Sequence, residues 1–262
     1  MIERDFQLPN ARIFCRVIGD GPPVLFVHGF PISGEMWYAT ADALANRYRC
    51  IIPDLRGHGR SEISQSISMA EFADDLAGVL DAVDERRPVA LVGLSMGGII
   101  ALEFFRRHRP RLRALGLINT RANAENAEGV ERRRKMAEAA LRQGTGAIVE
   151  LMISGLFGPG FPRDQRDAWQ ARMSATPAVG AAAAALALGA RRESYSTLAE
   201  IDIPTLVVAG DRDTITPVAT LREIHEGIRG SRFEIFENCG HVPPVEFPDR
   251  FTALLREFLE TT

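Results

Sequence analysis

Residues 92–98 read Val-Gly-Leu-Ser-Met-Gly-Gly and join a short apolar run to an amphipathic segment. The run Val89–Val92 has the length and composition of a strand buried on both faces of a parallel sheet. The segment after it repeats apolar or small residues at helical spacing. Glycines at positions 93 and 97 permit a tight turn that pushes the hydroxyl of Ser95 out of the sheet. The stretch therefore predicts a strand, a turn with an exposed serine, and a helix.

Short apolar runs of the same kind recur on both sides of this unit. Gly, Pro or Asp bounds them, and amphipathic helical segments lie between them, one of which follows a capping box formed by Ser68 and Glu71. The runs are Val24–Val27, Cys50–Ile52, Val89–Val92, Leu115–Ile118 and Leu206–Ala209. This alternation predicts an α/β fold with a doubly wound, mostly parallel sheet.

The alternation stops between residues 121 and 192. This stretch has no strand-like run, is rich in Ala, Glu and Arg, and contains Gly/Pro turns. We interpret 121–192 as a small helical cap inserted above the sheet, and 1–120 with 193–262 as the α/β core. The cap also supplies apolar candidates for the walls of a pocket: Leu151, Met152, Leu156, Phe157, Phe161, Trp169 and Met173.

The charge balance argues against a polyanionic partner. Among 262 residues, 31 are Lys or Arg and 34 are Asp or Glu, so the net charge of −3 gives no field that would attract nucleic acid or an anionic membrane. One basic run, residues 132–135, is flanked by Glu131 and Glu138, and we interpret it as a solvated helix face. The predicted partner is a small molecule.

Cysteine usage and the termini favour a cytoplasmic location. Cys15, Cys50 and Cys239 are an odd number of cysteines without metal-ligand spacing, which is typical of reduced thiols. The first residues lack the apolar stretch of a signal peptide. The longest apolar run, Ala181–Leu188, is far shorter than the roughly 20 residues of a membrane span.

A nucleophilic serine needs a base, and five histidines are available. His108 and His225 lie in charged helical segments, which favours solvated surface positions. His241 follows the apolar run Phe233–Phe236 in a loop that belongs at the carboxyl end of the sheet, where open α/β folds bind ligands. His241 is therefore the predicted base.

Three aspartates lie near the run Leu206–Ala209, and one of them can orient the base. Asp202 precedes the run and so belongs at the opposite edge of the sheet. Asp211 and Asp213 both follow Gly210 at the required edge. Asp213, two residues further along, has more reach toward the His241 loop, whereas Asp211 is placed to accept hydrogen bonds from turn amides. The predicted triad is Ser95, Asp213 and His241, in an order known for α/β-hydrolases.

Four motifs carry a resemblance to the α/β-hydrolase fold family. Phe26–Pro31 resembles the family's H-G loop, and Asp54–Ser61 resembles its D-x-x-G-H-G-x-S loop. The turn at Ser95 and the Gly240-His241 loop complete the set, which covers nearly the whole chain. Within this family, the stretch Gly93–Gly98, followed later in the chain by Asn119–Ala122, is similar to a branch of small carboxylesterases. Enol-lactonases and cofactor-free haloperoxidases or perhydrolases are nearly as similar.

The resemblance also implies roles for the neighbouring residues. The backbone N–H of Met96, directly after the serine, is one predicted donor of an oxyanion hole, and the family pattern assigns the second to Phe30. His28 then braces its loop, and the loop containing His58 is a scaffold with no partner at metal-ligand spacing. Neither a metal nor a cofactor is predicted.

These residues predict hydrolysis of a carboxylic ester through an acyl-serine intermediate, with short acyl chains because the cap is short. A serine at position 95, instead of an aspartate, argues against haloalkane dehalogenases and epoxide hydrolases. Cys239 is interpreted as a packed thiol and not as a nucleophile. Three alternatives stay open on the same triad: a lactonase, a perhydrolase or acyltransferase, and a ligand sensor with slow turnover.

Overall fold

Eight strands form one sheet in the computed structural model, which describes residues 1–262. The strands are β1 (Ile2–Gln7), β2 (Arg12–Ile18), β3 (Pro23–Val27), β4 (Arg49–Pro53), β5 (Val89–Leu94), β6 (Leu112–Ile118), β7 (Thr205–Gly210) and β8 (Arg232–Phe236). Their order across the sheet is β1-β2-β4-β3-β5-β6-β7-β8. Strands β3 to β8 are parallel, whereas β1 and β2 are antiparallel at one edge.

Eleven α-helices and two short 3-10 helices connect the strands. The α-helices are α1 (Tyr38–Leu44), α2 (Met69–Ala82), α3 (Met96–His108), α4 (Ala127–Gln143), α5 (Gly146–Leu156), α6 (Arg163–Ser174), α7 (Ala178–Gly189), α8 (Tyr195–Glu200), α9 (Val218–Gly227), α10 (Pro243–Glu246) and α11 (Pro248–Glu260). The 3-10 helices are Gly34–Trp37 and Arg109–Arg111.

The predicted α/β architecture with a mostly parallel sheet is confirmed. Each predicted apolar run lies within one of the strands β3 to β8, and the side chains of β3, β5 and β7 are buried along their whole length. Two antiparallel strands were not predicted. In β1 only Phe6 is buried, so this strand lacks the continuous apolar run that marks the central strands.

Apolar side chains pack on both faces of the sheet. One layer contains residues of α2, α3 and α9, and the other contains residues of α1 and α11. In α2, the capping box predicted from Ser68 and Glu71 is formed, which fixes where this helix begins. Because both faces are covered, the loops at the carboxyl ends of the parallel strands are left to form a site.

The stretch interpreted as a cap contains helices α4 to α7. Helix α4 packs on α7, and α5 packs on α6. No single helix has the length and apolar composition needed to cross a membrane, although α6 and α7, joined at a bend of 91°, pass such a test as a pair. The division into a core of 1–120 with 193–262 and a cap of 121–192 stays a prediction.

Candidate active site

Ser95 lies at the turn between β5 and α3 in a strained backbone conformation. Its φ of 54° and ψ of −113° are rarely adopted by residues other than glycine. The flanking glycines allow the turn, because a Cβ at Gly93 would lie 2.3 Å from the carbonyl oxygen of Gly97 and one at Gly97 would lie 2.2 Å from that of Val27. The predicted turn is therefore present, with Ser95 at its tip.

The residues after β6 connect this turn to the His241 loop. Thr120 Oγ1 donates to the carbonyl oxygen of Ser95 at 2.7 Å. The side chain of Asn119 accepts a hydrogen bond from Gly210 N at 2.9 Å and donates to the carbonyl oxygen of Gly240 at 3.0 Å. Asn119 thereby ties the end of β7 to the histidine loop, a role that the sequence did not reveal.

The structure brings Asp213 and His241 into direct contact. Asp213 Oδ2 lies 2.7 Å from His241 Nδ1, and both side chains are almost fully buried. Burial opposes the charge of Asp213, but the His241 contact and the Thr216 donors outweigh it, so the pKa of Asp213 falls below its usual value. A hydrogen bond on Nδ1 leaves Nε2 as the ring nitrogen that can accept a proton.

Asp211 and Asp213 accept hydrogen bonds from other partners than the sequence predicted. Asp211, predicted to accept from turn amides, accepts instead from Cys239 N at 3.2 Å. It is Asp213 Oδ1 that accepts from Ile215 N at 2.7 Å and Thr216 N at 3.0 Å. The physical reason is that a carboxylate has two oxygens, so Asp213 binds the turn with one and His241 with the other.

Glu246 holds the His241 loop in place and was not predicted. Its carboxylate accepts hydrogen bonds from the backbone N–H groups of Gly240 at 3.0 Å, Val242 at 3.3 Å and Gly158 at 2.6 Å. The N–H of His241 itself donates to the carbonyl oxygen of Leu156 at 2.7 Å. The loop is thus fixed on both sides of His241, partly by the end of α5.

The two predicted oxyanion donors are the backbone amides of Met96, next to Ser95 in the chain, and of Phe30, which lines the same cavity as Ser95. Met96 is the first residue of α3, so its N–H has no partner within the helix. The Phe30 N–H donates to no carbonyl of the chain. Gly29 packs closely against the turn, since a Cβ there would lie 3.3 Å from Ser95 Cβ. The assignment of these amides as oxyanion donors stays a prediction.

Ser95, His241 and Phe30 line one cavity, which has a volume of about 40 Å³. Its walls include Phe30, Ser95 and His241 from the core and Met152 from α5. The Ser95 hydroxyl does not form a hydrogen bond with the His241 ring, a contact that is often loose in enzymes without substrate.

A second, apolar cavity of about 10 Å³ adjoins the first at Phe30 and His241. Of the cap residues predicted as pocket walls, four line this apolar cavity: Leu156, Phe157, Trp169 and Met173. Phe161 instead stacks on Phe157 with ring centroids 4.3 Å apart, and the side chain of Leu151 is largely exposed. The two cavities share only Phe30 and His241 and are otherwise lined by different residues.

Comparison with known proteins identifies the family. A family model described as the alpha/beta hydrolase fold matches residues 22–248. The chain belongs to this family. The resemblance drawn from the four sequence motifs is thereby confirmed.

The curated relatives of this alpha/beta hydrolase include an enol-lactonase and an esterase. It is 27% identical over 245 residues to 3-oxoadipate enol-lactonase 1 of Acinetobacter baylyi, covering 92% of this chain and 90% of the relative. It is 26% identical over 259 residues to the pimeloyl-[acyl-carrier protein] methyl ester esterase of Chromobacterium violaceum, covering 95% and 99%.

Among solved structures, a thermophilic esterase from Thermogutta terrifontis with malate bound superposes with a TM-score of 0.96. Its sequence is 35% identical, and the match covers 100% of this chain and 99% of the esterase. Together with the family match, these relatives support a hydrolase of the alpha/beta hydrolase fold.

Two buried histidines lie behind the Phe30 loop of this hydrolase. His28 Nε2 accepts from Leu55 N at 2.9 Å and its Nδ1 donates to the carbonyl oxygen of Gly29 at 2.8 Å, so the ring is neutral. Burial lowers the pKa of His28 to about 4 and that of His58 to about 3. The side chain of Asp54 accepts from Gly34 N and Arg60 N, each at 2.8 Å, which organises the loop after β4.

The remaining candidates lie outside the site or serve its packing. Cys239 is buried, which raises the pKa of its thiol, and its Sγ lies 3.6 Å from Glu246. His108 pairs with Asp74 and His225 with Ser231. No group of three or more His, Cys, Asp or Glu side chains is arranged to hold a metal ion.

The interpretation of residues 132–135 as a solvated face is wrong for one residue. The side chains of Arg132, Arg134 and Lys135 are at least half exposed, but that of Arg133 is only 18% exposed. Arg133 instead lines the cavity that contains Ser95. The reason is its position on the face of α4 that carries the buried residues Ala137 and Ala140, four and seven positions later.

Proposed function

We propose that this chain is a serine hydrolase that cleaves carboxylic esters with short acyl groups through an acyl-serine intermediate. The observation that carries the proposal is the 2.7 Å contact between Asp213 and His241 at a cavity that Ser95 also lines. A serine hydroxyl is a weak nucleophile unless an oriented base takes its proton. Asp213 supplies that orientation, and His241 is the base.

In the first half of the proposed reaction, Ser95 Oγ attacks the ester carbonyl while His241 Nε2 takes its proton. Asp213 holds the proton of Nδ1 and stabilises the imidazolium. The developing oxyanion accepts hydrogen bonds from the N–H groups of Phe30 and Met96, which need no side-chain rearrangement. The imidazolium then protonates the leaving alkoxide, and the acyl group stays on Ser95.

In the second half, His241 removes a proton from water, which attacks the acyl-serine. The same two amides stabilise the second tetrahedral intermediate, and collapse returns Ser95 and releases the acid. Every group in this sequence belongs to the protein or to water. The reaction therefore needs a small-molecule ester and neither a cofactor nor a nucleic-acid partner.

The size of the site supports a short acyl group. The cavity at Ser95 has a volume of about 40 Å³, and the adjoining apolar cavity is smaller. The esterases among the relatives support the ester bond as the target. The three free, buried cysteines support a reducing compartment, and we place the protein in the cytoplasm.

A panel of p-nitrophenyl esters of increasing acyl length tests the proposal. We expect the highest kcat/KM for acyl chains of two to about four carbons, and no turnover above background with Ser95→Ala. An organophosphonate should add to Ser95, with the adduct located by mass spectrometry. Activity retained in Ser95→Ala, or an adduct at Cys239, would contradict the mechanism.

A lactonase is the second candidate, favoured by the relative named 3-oxoadipate enol-lactonase 1. A lactone is a cyclic ester, so the same three side chains would open it, with leaving alkoxide and acid in one product. To separate lactonase from esterase activity, kcat/KM is measured for five- and six-membered lactones and for the corresponding open-chain ethyl esters. A kcat/KM for a lactone more than tenfold above its open-chain ester would make lactone opening the main activity.

A further inference from the structure

Two guanidinium groups line the Ser95 cavity on its cap side. Arg121 lies in the loop after β6, and Arg133 lies on α4. Burial lowers the pKa of both guanidinium groups. Repulsion between their positive charges, and from that of Arg191, lowers it further. The wall of the Ser95 cavity that contains these residues is therefore basic.

The cluster holds more positive than negative charge. Glu125, which is 5% exposed, accepts from Arg191 at 2.8 Å and from Arg133 at 3.2 Å. Arg121 forms no ion pair and donates to the carbonyl oxygen of Ile215. The nearby carboxylate of Asp213 is already occupied by His241 and by Thr216. Arg121, Arg133 and Arg191 thus have one carboxylate near them, that of Glu125, which Arg132 also approaches to 3.9 Å.

An excess of buried positive charge destabilises the fold unless a ligand supplies the missing negative charge. Taking a charge out of water costs several kcal/mol unless a partner is supplied. The fold does supply partners elsewhere, since the buried Arg56 forms a paired contact with Asp75, with Nε and Oδ2 2.9 Å apart. At the wall beside Ser95 the positive charge is instead in excess, and an unbalanced buried charge in a cleft is a mark of a binding site.

The same guanidinium groups also face solvent through an outer pocket. This pocket has a volume of about 330 Å³ and shares Arg121, Arg133, Met152 and Ile215 with the Ser95 cavity. Arg132, more than half exposed, adds a further positive charge at its rim. A ligand that approaches Ser95 from this side meets positive charge at the mouth and again beside the serine.

We propose that the substrate is an ester carrying a free carboxylate, which binds Arg121 and Arg133 while its ester carbonyl lies at Ser95. This inference rests on the proposed ester hydrolysis. The guanidinium group matches a carboxylate in shape and charge. The uncharged half of the ester faces the apolar residues beyond His241, among them Phe157 and Trp169. The substrate class is thus the half-esters of short dicarboxylic acids, or short acyl esters of hydroxy acids.

A purely structural role for the arginines makes a different prediction. If the cluster only ties α4 and the loop after β6 to the core, its loss lowers the turnover of charged and neutral esters by the same factor. If it binds the substrate carboxylate, its loss lowers the turnover of the charged ester alone. The ratio of the two kcat/KM values therefore separates the roles and is insensitive to the fraction of folded protein.

The experiment compares each carboxylate ester with its primary amide, which has the same shape and no charge. Monoethyl succinate is paired with ethyl succinamate, and carboxymethyl butyrate with carbamoylmethyl butyrate, so that both halves of the ester are tested. The variants are Arg133→Gln and Arg121→Gln. Arg134→Gln is the matched control, because Arg134 lies on α4, is half exposed and pairs with Glu131.

For at least one pair we expect the wild type to favour the carboxylate by about ten- to a hundredfold, the usual effect of hydrogen bonds to a charged group. Arg133→Gln and Arg121→Gln should each remove most of this preference, and Arg133→Lys should restore part of it. Arg134→Gln should leave it unchanged. A wild-type ratio of one or less for both pairs, or a preference that survives both glutamine variants, would overturn the proposal.

Failure of the proposed function gives a separate result. In that case the wild type hydrolyses neither member of any pair, nor p-nitrophenyl esters. Calorimetry with succinate, compared with succinamide, then still tests the arginines as a carboxylate site. Binding of succinate that weakens at least tenfold in Arg133→Gln supports the site, and equal or absent binding of the two compounds rejects it.

Discussion

On the sheet side of the Ser95 cavity, backbone groups set the geometry, whereas on the cap side, side chains do so. Ser95 lies at a turn that only glycines at positions 93 and 97 permit, and Glu246 fixes the backbone around His241. The cap side consists of Met152, Trp169 and Arg133, carried on helices, and of Arg121 in the loop after β6. The difference indicates that the sheet side holds the catalytic groups in place, whereas the cap side selects the substrate. Changes to the first should lower turnover of all esters, and changes to the second should alter preference among them.

The largest expected effect is on the sheet side, at Ser95. Ser95→Ala should keep the fold and lower kcat by about 10⁴–10⁶, because no other group can form the acyl-enzyme. Steady-state kinetics and the thermal midpoint check both statements. Ser66→Ala, in an exposed loop, is the control and should be fully active. A loss in Ser95→Ala that follows unfolding would remove the distinction between chemistry and structure at this turn.

The second effect compares two aspartates two residues apart. Asp213→Asn should lower kcat by roughly 10⁴, the penalty for a wrongly oriented histidine tautomer in serine proteases. Asp211→Asn, which weakens the contacts to Cys239 N and to the Arg212 side chain, should cost about tenfold or less. If the Asp211 variant were the inactive one, the assignment of the triad would be wrong.

The third expected effect is on stability and concerns the histidines behind the Phe30 loop. Their folded pKa values, about 4 for His28 and about 3 for His58, lie below the unfolded value of about 6.5. The unfolded state therefore binds more protons, and stability falls as the pH falls below 6.5. Between pH 7 and pH 5 we expect a loss of about 2 kcal/mol for each histidine.

Urea unfolding at several pH values measures this loss. His58→Gln removes one titrating group, so its stability should change about half as steeply between pH 6 and pH 5 as that of the wild type. Ser66→Ala, which changes no titrating group and lies in an exposed loop, is the control and should leave the slope unaltered. A wild-type stability that is independent of pH over this range would show that these histidines do not stay neutral in the fold.

The fourth effect concerns the clamp on the histidine loop. Glu246→Gln keeps the size of the side chain but loses an acceptor for the three amides at Gly158, Gly240 and Val242. Because small misplacements of a base cost up to about 10²-fold, we expect kcat to fall about ten- to a hundredfold with little change in KM. Asp249→Asn, at an exposed position nearby, is the control. A rise in KM with unchanged kcat would place Glu246 in substrate binding instead.

The smallest effect is on the cap side. Trp169→Ala enlarges the apolar cavity, so the preferred length of the uncharged half of the ester should increase by one or two carbons, with a change in relative kcat/KM below about tenfold. Trp169→Phe should show a smaller shift in the same direction. An equal loss for all chain lengths would instead indicate that Trp169 supports the cap and does not limit the substrate.

The sequence predicted the sheet side of the site better than the cap side, for physical reasons. Tight turns and buried strands depend on local residues, so Gly93, Gly97 and the apolar runs are visible in the chain itself. The strand β1 was missed because only one of its side chains is buried and its edge is exposed. Glu246 and Asn119 were missed because they act on backbone groups whose proximity depends on the complete fold.

Arg133 shows where a further pattern was available. Its neighbours in the sequence suggested a solvated run, but its spacing from Ala137 and Ala140 places it on the buried face of α4. Helical spacing thus indicated burial of this one charge, while composition alone did not. That Arg133 would meet Arg121 and Arg191 could not be predicted, since these residues come from three separate segments.

The hydrogen bond from His241 N to Leu156 O, together with the Glu246 contact to Gly158, has a consequence for protein engineering. In a chimera that receives the cap of another hydrolase, the foreign segment replaces one of the anchors of the histidine loop. Such a graft would fold around an intact sheet and still displace its base. A chimera should therefore keep residues 156–158 of this chain, with the foreign cap segments joined before residue 156 and after residue 158.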